Sequence, residues 1–129
     1  MRFLLDTHVL LWWRAEDPRL PKRVQTLLES PARHELCFSI ASLWEIAIKQ
    51  SLGRLRLDMR LDAFAATLEA TGRFRLVAIE PEHLTRLDGL PFHHRDPFDR
   101  LLLAQAISLG ATAITNDAQW ARYPVPIRW

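Results

Sequence analysis

Cys37 is the only cysteine in this 129-residue chain. That excludes an intramolecular disulfide and any zinc site of the usual cysteine spacing, and the apolar run around Cys37 reads simply as core. Lysine is almost as scarce, with fifteen arginines beside Lys22 and Lys49 alone. Arginine suits bidentate phosphate contacts, but an arginine-rich composition explains the count equally well. Repeats, low-complexity tracts and linkers are missing, and no apolar run approaches membrane-spanning length. Nor does the beginning of the chain show the charged, apolar and small-residue regions of a secretion signal. The expectation is a soluble cytoplasmic protein forming one domain over residues 1–129, long enough to bury a core without disulfides.

What is present is an alternation of short apolar runs with helical periods. Residues 3–5 form an apolar run bounded by Asp6 and Thr7, as expected of a strand buried on both faces. Helices are expected over 9–14 and over 21–29, the second closed by Pro31. Residues 36–39 read as a second strand and 41–52 as a helix stopped by Gly53. Leu61, Phe64, Ala65 and Leu68 share a helical face that ends at Gly72. A third strand is expected at 76–79, a short helix at 82–87, and a polar loop at 90–96. Pro97 opens the longest helix, 98–109, and Gly110 ends it. Residues 111–115 form a fourth strand, and 125–129 add an edge strand. Strands alternating with helices imply a parallel sheet with helices on both faces.

Four acids stand out by position. Asp6 and Asp117 each follow a strand, Glu45 lies in the helix after the second strand, and Asp99 opens the long helix. A parallel sheet gathers the carboxyl ends of its strands along one edge, where ligands bind. Carboxylates meeting there suit a hard divalent cation, Mg2+ or Mn2+. They should also raise one another's pKa, so cation binding should weaken as pH falls.

Each acid has a plainer reading. Asp6 suits a helix N-cap, and Asp117 an Asx-turn. Ser42-Leu43-Trp44-Glu45 matches a capping box, and Lys49 lies one turn beyond Glu45 for an i,i+4 pair. In His93-His94-Arg95-Asp96-Pro97-Phe98-Asp99-Arg100, proline at N1 makes Asp96 the N-cap and Asp99 the N3 residue. The two histidines read as an exposed loop rather than a zinc dyad, and His8 as a helix-start residue. Around the acids, Thr7 serves as a cap or brings a hydroxyl to the site. Ser39 caps a helix or lines the site. Arg100 meets a substrate phosphate or balances neighbouring acids. Thr115 and Asn116 complete the surroundings of Asp117. Trp12, Trp13 and Trp44 fall in apolar helix patterns and suggest core or subunit packing.

Taken together, Leu4-Leu5-Asp6-Thr7-His8-Val9-Leu10-Leu11-Trp12, the Trp44-Glu45-Ile46 block ending at Lys49, His94 to Leu102 with Ala104-Gln105-Ala106, and Thr115-Asn116-Asp117 resemble a PIN domain, more closely a VapC-type toxin ribonuclease. The resemblance implies a three-layer α/β/α fold with a central, mostly parallel sheet of four to five strands. It maps the family's four acids onto Asp6, Glu45, Asp99 and Asp117, with Asp96 the one ambiguity. It implies a metal-dependent endoribonuclease, the toxin of a type II toxin–antitoxin pair, inhibited by a VapB-like antitoxin. On that basis Asp6 and Asp99 are expected to ligate Mg2+, Asp117 to serve a second ion or its waters, and Glu45 to orient the attacking water. A homodimer is expected through the apolar helices after the first two strands.

Three other classes compete. A phosphatase of the haloacid-dehalogenase kind needs a second acid two residues after the first, where His8 stands. A non-catalytic RNA-binding or partner-binding PIN module would be marked by a lost acid, and none is lost. A structure-specific DNA nuclease of the PIN-like group usually carries DNA-gripping elements for which this chain has no room.

Overall fold

The computed structural model describes residues 1–30 and 34–129. The expected stop at Pro31 lies outside the described residues. In chain order the elements are β1 (Arg2–Leu5), α1 (Thr7–Arg14), α2 (Lys22–Glu29), β2 (Glu35–Ser39), α3 (Ile40–Ser51), α4 (Leu61–Ala70), β3 (Phe74–Val77), α5 (Pro81–Asp88), α6 (Pro97–Leu109), β4 (Thr112–Ile114) and β5 (Ile127–Arg128). A short 3-10 helix, Ala118–Arg122, follows β4.

The five strands make one sheet in the order β3-β2-β1-β4-β5, every pairing parallel. β1 is central, and Phe3, Leu4 and Leu5 are fully buried because both faces of a central parallel strand are covered. Alternation along the strands sorts the core into two layers. Phe3, Leu5, Leu36 and Phe38 pack with Val9, Val24, Ile46, Phe64 and Leu68 of α1 to α4. Leu4 and Cys37 face Leu102, Leu103 and Ala106 of α6 on the other side. The result is the three-layer α/β/α arrangement. Burial next to Glu35 pushes the Cys37 thiol up to about 11, as befits an unreactive core residue. No helix among the described residues is long and apolar enough to cross a membrane.

The local differences from the expectation have physical causes. α1 begins at Thr7 rather than Val9, with Asp6 in the N-cap position but making no side-chain cap bond. β2 runs straight into α3 without a turn. Ser39 therefore supplies the cap, its Oγ accepting from Ala41 N at 3.0 Å. The capping box at Ser42 does not form, since Ser42 is already the third residue of the helix. β3 lies two residues earlier than expected, because it is an edge strand whose outward Arg75 breaks the apolar run and pairs with Glu35. Gly53, at φ 69°, occupies the left-handed position just past α3, which glycine reaches without the usual Cβ penalty.

Candidate active site

Asp6 stands one residue beyond β1, where its N–H still donates to Ile114 O of β4 at 3.0 Å. That bond holds Asp6 at the carboxyl edge of the two central strands, 3% exposed. Just past β4, Thr115 reaches across and its hydroxyl donates to Asp6 Oδ2 at 2.7 Å, while Thr115 Oγ1 accepts from Asp117 N at 3.0 Å. Thr115 thus joins two of the four acids through one buried hydroxyl. Asp117 Oδ1 accepts from Gln119 N at 2.9 Å, so the Asx-turn exists and opens the 3-10 helix. Its Oδ2 faces the site, where His94 Nε2 meets it at 2.8 Å.

Glu45 lies in the second turn of α3 and is buried. Its Oε2 accepts from Lys49 Nζ at 2.6 Å. Its Oε1 is buried with no hydrogen-bond partner, a costly state for a carboxylate oxygen. Asp96 caps α6 as expected, with Oδ1 accepting from Phe98 N at 2.8 Å and Asp99 N at 3.2 Å. Asp99 is consequently the N3 residue, turned toward the sheet edge. A cavity of about 150 Å³ is lined by Asp6, Thr7, His8, Glu45, Lys49, Asp96 and Asp99 among others. Burial first, and then the charges of Asp6, Asp96, Glu45 and Asp117, push the Asp99 carboxyl up to about 8.

His94 departs most from expectation. Instead of sitting in an exposed loop, its imidazole is largely buried, with Nε2 2.8 Å from Asp117 Oδ2 and 3.1 Å from Asp99 Oδ2. The three residues offer donor atoms within 4.8 Å of one another. Asp117 therefore does not line the cavity itself but joins it through His94 and Thr115. His8 is placed at the start of α1, with Nδ1 3.2 Å from Asp6 Oδ2. Burial works to lower its pKa, but the bond to Asp6, helped by Asn116 and Asp117, outweighs it and the net shift is upward.

Arg100 does neither of the things expected of it. It is buried, and its guanidinium donates to the carbonyls of Pro91 at 2.8 Å, Leu90 at 3.2 Å and Leu87 at 3.4 Å, under the ring of Phe92. Its work is to tie down the loop before α6, since a planar fork satisfies several carbonyls at once. Tyr123 does the same from the other side: its hydroxyl accepts from His93 N and His94 N and donates to Pro91 O. Neither role has a local signal in the sequence, because both partners come from tertiary contact.

Among the remaining residues, Thr7 gives its hydroxyl proton to Ser42 Oγ at 2.9 Å. Ser39 Oγ turns away from the cavity and donates to Gln105 Oε1 at 2.5 Å. Asn116 is exposed. Lys49, about half exposed, is kept charged by its bond to Glu45 against the opposing effect of burial. Trp12 and Trp13 pack partly buried against the core, whereas Trp44 is 53% exposed and meets Phe98 in a T-shaped pair, ring centroids 4.9 Å apart.

A parallel α/β sheet with buried carboxylates converging where its central strands end defines an α/β protein with a hard-cation donor set at the sheet edge. The chain belongs to the PIN domain family, whose profile matches residues 3–126. It is 32% identical over 127 residues to Ribonuclease VapC22 of Mycobacterium tuberculosis, covering 96% of this chain and 95% of that protein. Among solved structures, VapBC2 from Rickettsia felis bound to a DNA fragment from their promoter superposes with a TM-score of 0.68 at 17% identity, covering 99% of this chain and 98% of the other. FitAcB from Neisseria gonorrhoeae gives a TM-score of 0.66 at 17% identity over 97% and 95%. At those identities the structural likeness speaks for the fold.

Proposed function

We propose that this protein is the toxin of a type II toxin–antitoxin pair, a metal-dependent endoribonuclease that hydrolyses RNA phosphodiester bonds at the Asp6, Glu45, Asp99 and Asp117 site in the cytoplasm. The observation that carries the reading is the buried Glu45 Oε1, which has no partner, in a cavity shared with Asp6 and Asp99. The 32% identity to a named ribonuclease over nearly the whole chain supports the RNA substrate.

The residues fit a hard cation. The donors are carboxylate oxygens, one of them lacks any other partner, and Asp99 is held unusually basic by burial and then by neighbouring negative charge, which a cation would offset. Asp6 and Asp99 would hold Mg2+, with Mn2+ able to substitute, and Asp117 would hold a second ion or its waters. When bound, the cation makes a water more acidic and stabilises charge on the departing oxygen. Glu45 orients the attacking water with the oxygen that Lys49 leaves free. Lys49, at the cavity wall and charged, would meet a phosphate oxygen of the substrate. The partner-free protein should cut single-stranded or loop RNA with Mg2+ or Mn2+ and stop on chelation. Undiminished cleavage in excess chelator would remove the metal from the mechanism.

The partner reading follows from the charge of the cavity, where Lys49 is the one lysine or arginine among its lining residues. A compact acidic site attracts a basic side chain, and a VapB-like antitoxin supplies one. Exposed Ile40 and Trp44 leave α3 with an apolar outer face, which supports pairing of two copies into a homodimer. Co-expressed with the product of a small neighbouring reading frame, the protein should elute as one complex by mass. Separate elution at micromolar concentration would refute the partner assignment.

A further inference from the structure

We infer that His94 is the positioning residue of the acidic site: its Nε2–H donates to Asp117 and lies against Asp99, holding carboxylates from two different elements together, and it does not itself ligate the cation. The inference deepens the cation-site reading above and rests on it.

The direction of hydrogen bonding at the other ring nitrogen decides the role. Asp96 N donates to His94 Nδ1 at 3.1 Å. Nδ1 therefore offers its lone pair, and the ring proton sits on Nε2, facing Asp117 Oδ2 at 2.8 Å and Asp99 Oδ2 at 3.1 Å. A histidine that ligates through Nε2 needs the opposite arrangement, with Nδ1–H given to a carbonyl, carboxylate or water. Here that proton would point at a backbone N–H, two donors face to face.

The ring has little freedom to reverse. Asp96 N is fixed because the Asp96 carboxylate caps α6 and Pro97 locks the next residue. The backbone of His94 is fixed because its own N–H and that of His93 both donate to Tyr123 Oη, at 2.9 and 3.0 Å. Arg100 anchors the same loop through Pro91 O and Leu90 O. Two buried side chains thus aim one imidazole at the gap between α6 and the end of β4. The gap needs closing, because Asp99 and Asp117 come from separate elements and their like charges oppose each other's approach. The Asp117 oxygen that accepts this proton keeps a lone pair for a cation, as does the Asp99 oxygen beside it.

The test is made on the full chain with Mn2+ as the probe. Titration of free Mn2+ by electron paramagnetic resonance gives the affinity, and electron spin echo envelope modulation reports any nitrogen bound directly to the ion. The wild type should show no directly coordinated nitrogen. His94→Ala should bind Mn2+ roughly 10- to 100-fold more weakly, the range for lost supporting hydrogen bonds around a metal site. His94→Gln, whose amide nitrogen can reach the position of Nε2, should recover most of that loss. A coordinated nitrogen signal in the wild type overturns the inference, as does wild-type affinity in His94→Ala or failure of His94→Gln to recover. If His94→Ala does not fold, the wild-type nitrogen spectrum and the His94→Gln affinity still decide. Wild type that binds Mn2+ in this pattern yet cuts no RNA would refute the ribonuclease reading alone.

Discussion

Asp6→Asn is expected to lower single-turnover RNA cleavage on the order of a hundredfold or more, and to abolish toxicity on expression, while melting within about 1 kcal/mol of the parent. Asp6 Oδ2 accepts the Thr115 hydroxyl proton at 2.7 Å. An asparagine keeps one oxygen for that bond, so the link between β1 and β4 survives. The amide must then turn its NH2 toward the cavity, presenting a donor where a cation needs an acceptor. Two effects on stability oppose each other. Removing the charge relieves repulsion with Asp99, whose pKa Asp6 helps to raise, but it also removes the carboxylate that raises the pKa of His8. Thermal melts and cleavage in Mg2+ on the same preparations separate chemistry from folding. A variant that melts like the parent and cuts at the parent rate would place the chemistry elsewhere.

Asp6 was visible in the sequence because β1 is buried on both faces, so an acid after Leu5 interrupts an otherwise apolar run. The same contrast exposed Asp117 after β4. Pro97 and Gly110 framed α6, and with it the division of labour between Asp96 and Asp99, because proline at N1 and glycine past the end mark a helix chemically. The start of α3 was legible in Ser39, which caps the helix from the strand end, although Ser42 offered a second, false cap. The edge strand β3 hid its register behind Arg75. His94, Arg100 and Tyr123 were illegible for a different reason. Their roles rest on carbonyls, N–H groups and carboxylates brought from distant segments, and no local pattern encodes such a meeting. A polar loop leading into the N-cap of the helix that carries Asp99 was the one available hint, since that loop must pass over the sheet edge.

Asp96 and Asp99 should separate cleanly when each is replaced. Asp99→Asn is expected to abolish cleavage and, in metal-free protein, to raise stability increasingly with pH. Asp99 has an ordinary value of 3.8 and is held at about 8, first by burial and then by Asp6, Asp96, Glu45 and Asp117. A folded value above the unfolded one means that the fold favours the protonated carboxyl. Its contribution is complete below the unfolded value and drains away as pH climbs through about 8. Asparagine cannot ionise, so the variant escapes that loss, and its advantage over the parent should widen between about pH 4 and 8 to roughly 2–5 kcal/mol and level off above. Saturating Mg2+ should shrink or reverse the gap, because the cation stabilises the ionised parent and has lost a ligand in the variant. Asp96→Ala instead removes the cap on Phe98 N and Asp99 N, costing roughly 1 kcal/mol. The folded fraction should still cut RNA, since the backbone N–H that orients His94 remains. Melts across pH in chelator, paired with cleavage in Mg2+, read both effects. Should Asp96→Ala be stable and inactive while Asp99→Asn still cuts, the ligand at the start of α6 is Asp96.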